Sequence, residues 1–204
     1  MVDNTIDLID YYLKFSGLNF KDLNVCELGN QWIRDSKKYG KHTLSKTYFI
    51  ERGSAHTSID FRGGDGSLAL DLSKPIVELE NKFNMVTNYG TSEHVADGWD
   101  GQYNVFKNIH DLLKKDGVII HAVPLYPYWL KHGICNYMEN FFPILSEQND
   151  YELLINDKRE RNKRFNLCSI LIKRSNCPFI DIENFKKNNG LKLHLSPGKH
   201  SYWK

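Results

Sequence analysis

Residues 24–31, NVCELGNQ, constrain this chain more than any other stretch. Val25 and Cys26 carry a short apolar run through Glu27 to Leu28. Gly29 ends the run, and the polar pair Asn30 and Gln31 precedes Trp32 and Ile33. A buried parallel strand has this pattern, and a glycine behind it permits a tight turn into the next element. The residues admit two readings. Glu27 and Gly29 face a ligand at the strand's carboxyl end, where open α/β sheets bind theirs, or Gly29 makes a turn and Glu27 caps nearby donors.

The rest of the chain alternates helical and strand-like segments. Residues 3–15 place Ile6, Leu8, Ile9, Tyr12, Leu13 and Phe15 at helical spacing. After the strand at 25–28, a short basic helix is expected over 32–39, and 47–50 is ambiguous. Strands are expected at 56–61, 67–70, 83–87 and 118–123, with a glycine-rich loop at 63–66 and a polar loop at 88–92. Pro75 argues against a helix starting before it. Residues 102–115 carry Tyr103, Phe106, Ile109, Leu112 and Leu113 on one stripe and stop at Asp116 and Gly117, which predicts a helix. A helix is expected near 138–147. Strands at 151–155 and 167–172 are expected to form an antiparallel hairpin with a long charged connection, 156–164. A short helix at 182–188 ends the periodicity. The order implies a layered sheet with helices on both faces.

Composition narrows the classes. The 204 residues suit one domain, 1–204, with a helical extension at 1–20 and a tail at 176–204. A net charge of +2 gives no platform for nucleic acid or an anionic membrane. No apolar run reaches bilayer length, and the N-terminus lacks the basic flank of a secretory signal. Cys26, Cys135, Cys168 and Cys177 form no CxxC pair. Buried free thiols in a reducing, cytoplasmic setting are expected, and no metal site is assigned.

Four stretches, in order, resemble the class I S-adenosylmethionine-dependent methyltransferases over roughly residues 23–174. VCELGNQ is similar to that family's first motif, an acid followed by a glycine loop. SIDF ends in Asp60, LALDLSKP carries Asp71 and Leu72, and FNMVTNYGTSEHV is followed by a helix and VIIHAVP. The resemblance implies an α/β fold, a Rossmann-like three-layer sandwich whose seven-stranded, mostly parallel sheet has an antiparallel last strand. It implies S-adenosyl-L-methionine as cofactor. Glu27, Gly29 and Asn30 would hold its methionine part, Asp60 its ribose, and Asp71 and Leu72 its adenine, with Asn88 nearby. The first motif departs from the family pattern, because Asn30, Gln31 and Trp32 stand where further glycines are usual.

The chemistry of these positions is consistent with those roles. Asp60 offers two acceptor oxygens to a diol, although it can instead cap the 63–66 loop. Asp71 before a serine is also a common turn. Tyr89, Gly90 and Thr91 stand where methyl donor and acceptor would meet, with Thr91 as a helix cap. Glu93 and His94 either approach the cofactor or bond to backbone. His121, inside an apolar run, needs a partner and is either a substrate-facing group or a core histidine. His121, His94 and Tyr89 are the catalytic candidates. Tyr126, Tyr128, Trp129 and Tyr137, with His132, wall an acceptor pocket or form a subunit contact in a homo-oligomer. Asn136, Glu139 and Asn140 would supply acceptor specificity.

The expected function is methyl transfer to an oxygen or nitrogen of a small molecule, with no nucleic-acid or membrane partner. A degenerate, non-catalytic Rossmann-like scaffold is the alternative. A nicotinamide-dependent oxidoreductase is a lesser one, since the G-x-G-x-x-G fingerprint is missing.

Overall fold

Side chains alternate across a strand, so an apolar run buried in a sheet feeds two cores at once. The computed structural model describes residues 3–33, 43–161 and 163–194, with the side chains of 3–5 and 161 excepted. Strand β1 (Asn24–Leu28) shows the alternation: Cys26 and Leu28 enter one core, Val25 the other. β1 pairs in parallel with β4 (Ala55–Asp60) and β6 (Phe83–Tyr89). β4 carries the short edge strand β5 (Leu68–Ala69), and β6 pairs in parallel with β7 (Leu113–Pro124). The hairpin of β9 (Tyr151–Arg161) and β10 (Arg164–Lys173) completes seven strands in the order β5-β4-β1-β6-β7-β10-β9. β10 runs antiparallel between β7 and β9, as expected of the last strand.

Helix α1 (Asp3–Ser16) turns Ile6, Leu8, Ile9, Tyr12 and Leu13 onto one face of the sheet, while Phe15 stays exposed. Helix α2 (Ser45–Ile50) covers the same face with Tyr48 and Phe49. Helices α3 (Gly98–Leu112), α4 (Phe141–Asn149) and α5 (Ile182–Lys186) cover the other, through Phe106, Phe141, Phe142 and Phe185. These rings meet edge-on or tilted, with centroids 5.0 Å apart for Phe106–Phe141 and 5.1 Å for Phe141–Phe142.

Several boundaries differ from the sequence reading. No helix starts at Trp32: Trp32–Ile33 is β2 and pairs antiparallel with β3 (Thr43–Leu44), a β-branched and aromatic context that favours strand. Positions 34–39 of the expected helix lie outside the described residues. The helix expected over 102–115 ends at Leu112, and the two lysines expected at its end, Lys114 and Lys115, belong to β7. The 156–164 connection is mostly strand, leaving only residues 162 and 163 between β9 and β10. In the tail, Leu191–Leu193 forms β11 and pairs with β8 (Cys135–Tyr137). Residues 61–82, all described, carry no helix.

Candidate functional site

The carboxyl ends of β1, β4, β5, β6 and β7 open into one cavity of about 740 Å³. That location is the crevice where open parallel sheets bind ligands, and the volume is within the range of small-molecule sites. Gly29 and Asn30 come from the end of β1, Asp60 from β4, Asp71 and Leu72 from behind β5, Tyr89 from β6 and Ala122 from β7.

The turn after β1 depends on Gly29. Its φ is +80°, in the left-handed region that side chains disfavour, and an added Cβ would lie 2.6 Å from Gln31 Nε2 and 2.7 Å from Thr91 Oγ1. The turn is tied to the neighbouring strands, since Gly29 N–H donates to the Ile59 carbonyl at 2.7 Å and Thr91 Oγ1 donates to the Leu28 carbonyl at 2.7 Å. Thr91 therefore fastens β6 to β1 and makes no side-chain cap on the 3-10 turn Ser92–His94.

Asp60 accepts the Asn30 N–H at 3.1 Å on one oxygen and the Arg62 N–H at 2.9 Å on the other. Each oxygen retains a further lone pair for a ligand. Asp71 accepts the Ser73 N–H at 2.9 Å and also lines the cavity. Apolar Ile59, Leu70, Leu72 and Val95 alternate with these acids along the wall.

Three sequence candidates do not reach the cavity, Glu27 on the α2 face of the sheet and Asn88 and His121 on the other. Glu27 shares the orientation of Val25 and points toward α2. Its carboxylate accepts from the Ser45 hydroxyl and, at 3.5 Å, from the Gln31 N–H, with His56 Nε2 at 3.5 Å. Asn88 and His121 pair across β6 and β7 and face α3 and α4. His121 stacks on Phe142 at a centroid distance of 4.3 Å, and its Nδ1 lies 3.1 Å from Asn88 Nδ2. Burial drives the His121 pKa down to about 3, so the ring is neutral. It is a core histidine. Tyr89 and Ala122, one position along, turn to the α1–α2 face of the sheet and also line the cavity. Burial raises the Tyr89 hydroxyl well above its ordinary pKa, so it stays protonated.

The aromatic wall is also thinner than expected. Trp129 and His132 line the cavity, but Tyr126 and Tyr128 are exposed outside it, with Tyr128 against Phe165 at 4.7 Å. Tyr137 is fully buried, its hydroxyl 2.7 Å from Ser92 Oγ and donating to Gln102 Oε1 at 3.2 Å. Asn136 is buried and holds local backbone, while Glu139 is exposed and lies 3.6 Å from Lys158 Nζ.

What the sequence did not show is a meeting of Glu93, His94 and His132. Both histidine Nε2 atoms lie 3.8 Å from Glu93 Oε1, and the three ligand-type atoms all fall within 4.8 Å of one another. Glu93 is 1% exposed, and its Oε2 has no hydrogen-bond partner. Burial raises its pKa to about 8 and lowers that of His94 to about 4, the latter with help from His132. The distant His132 is placed by backbone: Ile134 N–H donates to the Glu93 carbonyl at 2.7 Å. Gly133, with φ +68°, permits the approach, for a Cβ there would lie 2.4 Å from that same oxygen. His194 N–H donates to the Ile134 carbonyl at 2.7 Å and continues the bracing from β11.

No protein-family model matches the chain, and no curated protein matches it. Solved structures do. The N-methyltransferase NodS from Bradyrhizobium japonicum WM9, in complex with S-adenosyl-l-homocysteine, superposes with a TM-score of 0.56 at 13% identity, covering 85% of this chain and 87% of that one. Burkholderia thailandensis 1,6-didemethyltoxoflavin-N1-methyltransferase, with 1,6-didemethyltoxoflavin and S-adenosylhomocysteine bound, gives 0.55 at 17% identity over 80% and 75% of the two chains. Magnesium protoporphyrin IX methyltransferase from Synechocystis PCC 6803, with bound SAM, gives 0.55 at 13% identity over 83% and 78%. The sheet order, the antiparallel β10 and these superpositions agree that the chain has the Rossmann-like fold of class I S-adenosylmethionine-dependent methyltransferases.

Proposed function

We propose that the chain binds S-adenosyl-L-methionine in the carboxyl-end cavity and transfers its methyl group to an oxygen or nitrogen of a small molecule. The observation that carries this reading is the convergence of Asp60, Asp71 and Gly29 on one cavity, in the fold shared with the three methyltransferases above. The donor set fits the nucleoside half of the cofactor. Asp60 at the end of β4 would receive the ribose hydroxyls, and Asp71 with Leu72 the adenine, between apolar Ile59, Leu70 and Val95. The amino-acid half would lie toward Gly29, Asn30 and Thr91, without a direct bond from Glu27.

When bound, the cofactor supplies a methyl group on a positively charged sulfur, open to in-line attack. The chain's own contribution is alignment and exclusion of water. Tyr89, Gly90 and Thr91 line the cavity at the end of β6, and Trp129 and His132 line it from the segment after β7, where the acceptor would lie. Tyr89 would donate a hydrogen bond to an acceptor atom. Tyr126 and Tyr128 lie outside this pocket.

Calorimetric titration with S-adenosylmethionine and its demethylated product tests the reading. Saturable binding is expected, weakened about tenfold or more in Asp60→Asn, since poorly satisfying a buried donor costs roughly 1–3 kcal/mol. One observation favours a second reading, that of a degenerate scaffold: Glu27 is committed to Ser45 and His56 rather than to the cavity. No saturation by the folded wild-type protein would establish that reading and overturn the first.

A further inference from the structure

We propose that Glu93, His94 and His132 form a binding site for one divalent first-row transition-metal ion at the acceptor end of the cavity. This goes beyond methyl transfer and does not depend on it. The ligand atoms would be Glu93 Oε1 and the Nε2 atoms of both histidines.

Distance is the first argument. Ligands about 2.1 Å from a common ion stand about 3–3.5 Å from one another. Here two of the separations are 3.8 Å and the whole set lies within 4.8 Å, so closing on an ion takes movements of less than about an ångström per side chain. His132 has room for that movement, its side chain being 32% exposed. The same separations are too long for hydrogen bonds between the carboxylate and either ring.

The second argument is the state of Glu93. A carboxyl group buried to 1% exposure with one oxygen lacking any hydrogen bond is expensive to maintain. Nearby Gln102 does not relieve it, because its Nε2 donates to the carbonyls of Ser92 and Val95. A cation bound through Oε1 and the two imidazoles compensates the buried carboxylate whose other oxygen, Oε2, the fold leaves without a hydrogen bond. The backbone contacts through Gly133 and Ile134 hold His132 opposite Glu93 in advance of binding.

The third argument is chemistry. Two imidazoles and one carboxylate suit Zn²⁺, Mn²⁺, Fe²⁺ or Co²⁺, whereas Mg²⁺ and Ca²⁺ take mostly oxygen ligands. Three protein ligands leave positions open. All three residues line the cavity, so those positions face the space where an acceptor would sit.

The test is titration of the untagged, chelator-stripped protein with Co²⁺, followed by visible absorption, and with Zn²⁺ and Mg²⁺ by calorimetry. One equivalent of Co²⁺ and of Zn²⁺ should bind at micromolar concentration or tighter, with no saturable Mg²⁺ binding in that range. Glu93→Gln and His132→Ala should each weaken Co²⁺ binding at least tenfold, with circular dichroism confirming their fold. Absence of saturable Co²⁺ and Zn²⁺ binding by the folded wild-type protein overturns the site, whatever the variants do. Binding that neither substitution changes places the ion elsewhere and overturns it too. Parallel titration with S-adenosylmethionine separates this proposal from the preceding one: cofactor binding without metal binding removes only the metal site, and metal binding without cofactor binding removes only the methyltransferase reading.

Discussion

Two glutamates at neighbouring strand ends, each 1% exposed, are buried to opposite effect. Glu27 lies within reach of Ser45, the Gln31 N–H and His56, all on the α2 face. Glu93 faces the cavity with one oxygen unpartnered and its pKa raised to about 8. Burial alone therefore does not mark a ligand site. What separates the two is whether the fold itself supplies partners, and where it does, the group belongs to the structure rather than to a ligand.

The largest expected effect tests the structural side. Glu27→Ala should destabilise the chain by about 3–5 kcal/mol, because the Ser45 hydroxyl and the Gln31 N–H lose their acceptor, at about 1–3 kcal/mol for each polar group left unsatisfied, and a cavity is left behind. Urea denaturation measures it, and a change below about 1 kcal/mol would erase the distinction.

Glu93 should behave in the opposite sense, with a pH signature. In chelated protein its folded pKa of about 8 lies above the ordinary 4.5, so the folded state holds the proton more tightly between those values. Its contribution to stability is complete below the unfolded value and is lost as pH rises through about 8. Glu93→Gln should thus be near neutral at low pH and stabilising by a few kcal/mol at pH of about 8.5, read from denaturation midpoints at both. Destabilisation by the substitution across the whole range would mean that Glu93 has structural partners after all.

Ser45→Ala removes one donor to Glu27 and should cost about 1–2 kcal/mol, less than losing the carboxylate itself. A cost equal to that of Glu27→Ala would show that the hydroxyl carries the entire network. The smallest effect is expected outside the cavity. Tyr128→Ala, at an exposed ring resting on Phe165, should leave S-adenosylmethionine affinity unchanged in the same titration that reads Asp60→Asn. A loss there would return the aromatic loop to the acceptor pocket.

The sheet was legible because its signals are local. Val25 to Leu28, Phe83 to Thr87 and Val118 to Val123 are short, largely apolar runs that fit a doubly covered sheet, and Asp60 and Asp71 sit behind strands located in the same way. The side of the sheet to which each strand-end residue points was not legible, because it depends on register. One position separates Asn88 and His121, which enter the core, from Tyr89 and Ala122, which line the cavity. Trp32 and Ile33 were misread because a two-residue strand leaves no periodicity to count. The approach of His132 to Glu93 rests on one backbone bond and a left-handed glycine far along the chain, for which a single sequence gives no signal.

The backbone bracing from Glu93 through Ile134 to His194 also fixes an order of events during synthesis. Asp60, Asp71 and Glu93 leave the ribosome well before His132, and His132 before the β11 strand that steadies it. The residues of the cofactor end of the cavity are therefore made before those of its acceptor end. Any selectivity that His132 confers thus leans on a strand made about sixty residues later, β11, whose pairing with β8 braces the segment that carries it.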